Sequence, residues 1–161
     1  MPHRPIALIF SFIAALLLTG ALVSPPKAEH AADDGVVRGR SAYPFDETVE
    51  RLKKDIASKG IMMFSVIDQA GLAKDAGLSI IPSTLLVFGN PPLGTQFIAA
   101  KPEAGLDWPV RLLVQADAGG QVWVSYTDFA WIARRHGVPG AKPFSIASGV
   151  IAAITSSVVK N

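Results

Sequence analysis

The side chains best suited to chemistry are few and widely spaced. Asn90 follows an apolar run and carries both a hydrogen-bond donor and an acceptor, so it could bind a ligand carbonyl or an anion. Asp107, Tyr126 and His136 could supply a carboxylate, a phenol and an imidazole for acid–base work if the fold brought them together. We therefore take these four residues as the candidate ligand-binding set and assign no catalytic residue.

Each of these candidates also has a structural interpretation, and both interpretations stay open at this point. Asn90 lies in a turn with Gly89 and Pro91, where its amide can bond the nearby backbone. His136 follows Arg135 near a predicted helix C-terminus, where a basic side chain complements the helix dipole.

Several common sites are missing from the sequence. The chain has no cysteine, which excludes disulfides and thiolate metal sites. His136 is the only histidine in the predicted fold, because His3 and His30 precede it, so a zinc site would need carboxylate ligands. Neither a phosphate-binding loop nor a nucleophile-elbow serine motif is present. We expect no metal and no cofactor.

Aromatic residues cluster between residues 108 and 131, where they could line an apolar pocket or cover a subunit interface, since aromatic residues are enriched in both. Trp123 and Trp131 are the candidates for a subunit interface, since tryptophan is enriched at interfaces. Core packing is the alternative. The sequence therefore predicts self-association, as a homodimer through these side chains.

The first residues have the pattern of a targeting segment. Arg4 precedes an apolar run from Ile6 to Val23, which is long enough to enter a bilayer as a helix. Residues 1–23 are thus predicted to be a cleaved signal peptide or an N-terminal anchor. The protein is expected to be exported, periplasmic or secreted, or else held at the inner membrane by residues 6–23.

Charge argues against one class of partner. The formal net charge is only +2, and the arginines form no patch interleaved with aromatic residues. We therefore expect no nucleic-acid binding, and membrane contact only through an uncleaved N-terminal segment.

The remaining chain predicts a spacer at residues 24–35 and one domain at 36–161. Asp46 is the expected N-cap of a first helix at 47–57, and a continuous apolar run at 83–88 predicts a strand buried on both faces. Other strands are predicted at 36–43, 61–67, 110–116 and 122–126. Other helices are predicted at 69–76, from Thr127 or Asp128 to 135, and at 144–159. Residues 93–107 are ambiguous, and one option is a short helix from Pro92 to Ala99 or Ala100.

Four stretches between Asp46 and Gly137 resemble the domain-of-unknown-function family 302: TVERLKKDIASKGIMMFSVID, AGLAKDAGL, LLVFGNPPLGT and DWPVRLLVQAD with GQVWVSYTD. The resemblance implies an α+β fold, with a mostly antiparallel sheet of about five strands packed by helices in a helix-grip, TATA-binding-protein-like arrangement, preceded here by the apolar N-terminal helix. It also implies dimers. It supplies no activity, and the likeness to a DNA-binding fold is no evidence for DNA binding.

The leading functional expectation is an exported envelope protein that binds a small ligand or a partner and self-associates. Two alternatives stay open. One is an enzyme with an unrecognised polar site near Asn90, and the other is an interaction module tethered to the membrane.

Overall fold

The computed structural model describes residues 34–160. The predicted signal peptide or anchor at 1–23, with its apolar helix, and most of the predicted spacer lie outside the described residues. Gly35 is already part of the folded domain, because the Trp131 ring lies directly against its Cα.

The described chain alternates strands and helices. The strands are β1 (Val36–Arg40), β2 (Met62–Asp68), β3 (Ser83–Gly89), β4 (Val110–Ala116) and β5 (Val122–Thr127). The helices are α1 (Phe45–Ser58), α2 (Gln69–Asp75), α3 (Pro91–Ala100), α4 (Phe129–Arg135) and α5 (Lys142–Thr155), with a 3₁₀ helix at Pro102–Asp107 between α3 and β4. The ambiguous stretch 93–107 is therefore helical almost throughout.

All five strands join one antiparallel sheet in the order β1-β5-β4-β3-β2. The predicted fold class, an α+β fold with a five-stranded antiparallel sheet and packed helices, is confirmed. β1 and β2 are the two edge strands, and a bulge lies between Met63 and Ser65 of β2.

The core lies between one face of the sheet, here called the inner face, and the helices. Leu86, Leu112 and Val124 from three neighbouring strands are fully buried beneath Leu52 of α1 and Ile154 of α5. Two-residue periodicity on the strands and helical periodicity on α1 supply these side chains, as the sequence pattern predicts. Burial of such a side chain contributes about 1.5–3 kcal/mol.

The outer face of the sheet contributes no apolar core residue within residues 34–160. Leu85 and Val87 of β3 and Leu113 of β4 point to this face and stay partly exposed. The prediction that residues 83–88 are buried on both faces is therefore wrong. The apolar run reflects a strand at the centre of a two-layer fold, with helices on one side only.

Two predicted helix boundaries are wrong. The last helix spans Lys142–Thr155 instead of 144–159, and Val159 instead forms an antiparallel bridge with Ser41. Asp68 and Asp128 cap α2 and α4 through their carboxylates, and Asp128 is one of the two residues at which the sequence predicts α4 to begin.

The predicted N-cap Asp46 is wrong, because α1 begins at Phe45, two residues earlier than predicted, and Pro44 occupies the cap position. The Thr48 hydroxyl donates to the carbonyls of the residues before the helix and is bonded to the Ser41 hydroxyl at 2.7 Å, so buried polar contacts fix this turn.

Candidate functional site

Asp107 and His136 form a buried pair. The carboxylate ends the 3₁₀ helix, His136 follows the last turn of α4, and each side chain is only 6% exposed. Their Oδ2 and Nε2 atoms are 2.6 Å apart. Because a carboxylate only accepts, the imidazole Nε2–H donates. The fold thus brings together two of the four candidate residues.

Two arginines complete this cluster. Arg135 Nη1 lies 3.2 and 3.3 Å from the two carboxylate oxygens of Asp107, and Arg111 Nη2 lies 3.6 Å from Oδ1. Both guanidinium groups are about half exposed, whereas the carboxylate is not. The arrangement gives one buried negative charge three basic neighbours, which satisfies the carboxylate and ties β4 to α4 through it.

A carboxylate on the rim of this cluster responds to it. The pKa of Glu103 is lowered from its usual value, first by its own backbone hydrogen bond and then by Lys101, with a smaller contribution from His136. Its side chain is exposed and lies 3.3 Å from the Lys101 ammonium. The surface around the pair therefore carries both signs of charge.

The space beside Asp107 is too small for an organic substrate. A cavity of about 10 Å³ is lined by Asp107, Arg111, Thr127 and three apolar neighbours. A cavity of that size holds about one water molecule. His136 does not line it. The pair therefore has the geometry of a structural hydrogen bond, with the carboxylate satisfied by His136 and Arg135.

Asn90 and Tyr126, the other two candidate residues, form their hydrogen bonds with residues other than Asp107 and His136. Asn90 is the N-cap of α3, and its side-chain oxygen accepts from the Leu93 amide at 3.1 Å. Tyr126 lies on the inner face, where burial, then the Asp128 carboxylate, raises the pKa of its phenol, while a hydrogen bond with Thr155 opposes the rise. Both residues make structural contacts of the kind that the sequence left open.

An apolar cavity lies beside Asn90. Its volume is about 30 Å³, and Trp108, Phe97 and Val150 are among its walls. The Trp108 indole fits against Gly94, where any Cβ would overlap the ring. Its volume is about three times that of the cavity beside Asp107, and no charged side chain lines it.

The predicted interface tryptophans are both used within the domain. The Trp123 indole N–H donates to the Asp117 carboxylate at 2.9 Å across the β4–β5 turn, and this bond is the main cause of the lowered pKa of Asp117. Trp131 packs on Gly35 and lies under the Arg135 guanidinium, 5.8 Å from the ring centre. Both rings remain partly exposed.

One group of exposed hydrophobic side chains was not predicted from the sequence. Ten large hydrophobic side chains are exposed among residues 34–160, and seven of them fall between residues 62 and 81. They lie on edge strand β2, on α2 and on the segment that leads to β3. We call them the edge surface: Met62, Phe64, Val66, Leu72, Leu78, Ile80 and Ile81. The sequence predicts a strand at residues 61–67, and only the sheet order places that strand at an edge.

Between residues 34 and 160, no group of three or more histidines and carboxylates is placed to hold a metal ion. Within the same range, no helix is both long and apolar enough to cross a membrane.

Known proteins resemble this chain in two ways. The family described as "Domain of unknown function DUF302" matches residues 37–156. The chain is also 40% identical over 112 residues to proteins named "Fluoride-specific ion channel FluC 1" in Brucella suis biovar 1 (strain 1330) and Brucella abortus biovar 1 (strain 9-941). That match covers 70% of this chain but 44% and 41% of the two relatives, so the chain spans less than half of their length.

A solved structure has the same fold. The crystal structure of an uncharacterized conserved DUF302 protein from Bacillus stearothermophilus superposes with a TM-score of 0.70. It covers 76% of this chain and 97% of that chain at 16% identity, a likeness that concerns the fold alone.

Proposed function

Because the chain belongs to the DUF302 family, whose description assigns no activity, we propose a function from its geometry: it is an exported envelope protein that binds protein partners and self-associates. The edge surface is the observation that carries this proposal. Exposed apolar side chains that are gathered in one region, instead of scattered singly, mark interaction sites. Seven of the ten exposed large hydrophobics of residues 34–160 are gathered here.

Two features favour binding over catalysis. The cavity beside the Asp107 carboxylate has a volume of about 10 Å³, room for about one water molecule, and His136 does not line it. The side-chain oxygen of Asn90 already accepts the helix-capping hydrogen bond from Leu93. The apolar cavity beside Asn90 has a volume of about 30 Å³. An engineered cavity that admits benzene measures about 150 Å³, so a small-ligand site at Asn90 is the weaker alternative.

Site-specific photo-cross-linking in the exporting cell tests the proposal. A photoreactive residue at Leu78, which is 65% exposed, should form adducts heavier than the chain itself. The same probe at Ile146, which is 41% exposed on α5, serves as the matched control. Adducts at Leu78 and not at Ile146 are expected. An absence of adducts at Leu78, Leu72 and Ile80 alike would overturn partner binding by this surface.

A second candidate function is favoured by the Brucella relatives. More than half of each relative lies outside the match to this chain, and their name is that of a fluoride channel. We propose that this domain serves as an accessory part of a fluoride export system. Loss of the gene should raise sensitivity to fluoride but not to chloride. Equal growth of the deletion strain in fluoride would exclude this role.

The cell-envelope address belongs to the same proposal. The apolar run from Ile6 to Val23 after Arg4 supports export. Fractionation with intact-mass analysis distinguishes the two forms, since a shortened soluble product indicates a cleaved signal peptide and a full-length membrane product indicates a tether by residues 6–23. A full-length cytosolic product would contradict both.

A further inference from the structure

A groove runs between the two C-terminal helices. Its volume is about 300 Å³, about ten times that of the apolar cavity beside Asn90. Ala130 and Arg134 of α4 lie on one wall, and Ser145 and Ser148 of α5 lie on the other. Small-molecule sites in proteins typically measure about 300–1,000 Å³, so the groove has room for a small organic molecule.

The floor of the groove is held in place by the core. Ala133 and Phe144 line the groove, and each is only 2% exposed. The Phe144 ring stacks on Phe97, with 4.5 Å between the ring centroids and 13° between the ring planes, so it does not swing out to fill the space. The Val138 N–H donates to the Ala133 carbonyl at 2.9 Å and fixes the segment that joins the two helices. The groove is therefore preformed, and a ligand does not have to open it.

All charged side chains in this part of the chain are basic. Residues 129–161 contain two arginines and two lysines but no aspartate or glutamate. Arg135 belongs to the buried cluster described above, whereas Arg134 lines the groove and Lys142 begins α5 at its joined end. Within residues 34–160, neither Arg134 nor Lys142 forms an ion pair. The charge that the groove offers to a ligand is therefore positive and unpaired.

We propose that this groove binds a medium-chain carboxylate, which is a small organic anion with an apolar tail. The carboxylate pairs with the Arg134 guanidinium, whose planar fork suits the two oxygens of a carboxylate. The Ser145 and Ser148 hydroxyls already donate to helix carbonyls at 2.9 and 3.2 Å, so the arginine is the wall residue that remains to donate to the anion. The tail lies along Ala133 and Phe144, where burial of its apolar surface supplies most of the affinity.

The chemistry of the groove selects this occupant over others. A cationic ligand, or the equally basic helices of a second copy, would meet charges of its own sign. A sugar would find too few hydrogen-bond partners on walls rich in alanine, and an inorganic anion would leave most of the space unfilled. An apolar tail with one negative group matches both the walls and the charge.

This site is separate from the edge surface. The groove lies on α4 and α5, whereas the edge surface lies on β2, on α2 and on the segment that leads to β3. The inference therefore goes beyond the proposed function, and either can fail without the other. Cross-linking at Leu78 should proceed equally in the parent protein and in Arg134→Gln.

Calorimetric titration of the protein as purified from its host tests the charge selection. Octanoate should bind with a dissociation constant of about 1 mM or tighter. Octylamine and octanol have the same chain length, with a positive charge and with no charge. Octylamine should not bind detectably, and octanol should bind at least about ten-fold more weakly than octanoate. Equal affinity for the three compounds would overturn the proposal, since any exposed apolar patch would bind them alike.

Two substitutions and a control locate the site. Arg134→Gln should weaken octanoate binding at least about ten-fold and leave octanol binding unchanged. Ala130→Leu, at an exposed position, should weaken the binding of both compounds by filling the groove. Lys74→Gln is the matched control, because Lys74 is also an exposed cation in the last turn of a helix but lies on α2. It should leave both affinities unchanged, and circular dichroism verifies that every variant is folded.

Amide chemical shifts give a second readout. Octanoate should shift the backbone amide resonances of Ala133, Ser145 and Ser148 and leave those of residues 62–81 in place. Shifts confined to residues 62–81 would assign the binding to the edge surface and overturn the groove as the site. If octanoate shifts no resonance while a photoreactive residue at Ser145 cross-links to another protein, the groove docks a protein and the assignment to a small anion is wrong.

Discussion

The Nε2 atom of His136 lies 2.6 Å from the Asp107 carboxylate, and both side chains are 94% removed from solvent. Two residues that are 29 positions apart in sequence thus connect the end of the 3₁₀ helix to the end of α4. The pair stabilises the junction on which the orientation of α4 against the sheet depends.

Removing the charge of Asp107 should cost measurable stability. Asp107→Asn keeps the shape of the side chain but weakens its bonds to His136 and Arg135, and hydrogen bonds to charged groups contribute about 1.5–3 kcal/mol. We expect the free energy of unfolding in urea to fall by about 2 kcal/mol. Glu50→Gln, which breaks an exposed pair with Lys53, is the control and should cost under about 1 kcal/mol. Equal losses in the two variants would contradict a structural role for the pair.

Two helical glycines should respond to alanine in opposite directions. At Gly94 of α3 a Cβ would overlap the Trp108 ring, so Gly94→Ala should destabilise the fold by about 1–3 kcal/mol through overpacking. At Gly149 of α5 nothing lies within 4 Å of the added atom, so Gly149→Ala should stabilise it by about 0.4–1 kcal/mol. Thermal and urea unfolding of the two variants measure both changes. A neutral Gly94→Ala would mean that the indole moves freely.

The Asn90 side chain should behave as a helix cap. Asn90→Ala removes the acceptor for the Leu93 amide and should cost about 1 kcal/mol. Asn90→Asp places a carboxylate oxygen where the amide oxygen accepts from the Leu93 N–H, so this variant should keep most of that stability. If both variants are as stable as the parent, the cap is unimportant and the ligand interpretation of Asn90 regains support.

The buried phenol of Tyr126 should make the fold sensitive to alkaline pH. Burial and the Asp128 carboxylate raise its pKa in the folded state, while the unfolded value is near 10. The unfolded chain therefore releases this proton at a lower pH than the folded chain does. The contribution of Tyr126 to the free energy of unfolding is constant below about pH 10, and it falls as the pH rises from there to the folded pKa. Spectrophotometric titration of Tyr43→Phe, in which Tyr126 is the only tyrosine, measures the folded pKa. In Tyr126→Phe, the free energy of unfolding should no longer show this fall above about pH 10. A pH dependence identical to that of the parent protein would contradict the assignment.

Most local features of the fold, such as helix caps and turns, were predictable from the sequence. Turn and cap residues are local signals, so Asp68 and Asp128 at helix starts and Gly60 after α1, with φ of 66°, were predictable from their neighbours alone. The amphipathic pattern of α1 was equally informative. The cap at Asp46 failed because Pro44 and the Thr48–Ser41 contact, seven residues apart, decide where that helix begins.

Which residues meet across the fold was decided by tertiary structure. The sequence offered Asn90, Asp107, Tyr126 and His136 as side chains capable of chemistry. Only the tertiary fold brings Asp107, at the end of the 3₁₀ helix, within 2.6 Å of His136, which follows α4. The exposure of the apolar strand β2 likewise depends on strand order, a non-local property that periodicity does not encode. Hydrophobic pattern specifies that a segment is a strand, because side-chain alternation is local; its place at the edge or centre follows from pairings between residues far apart in the chain.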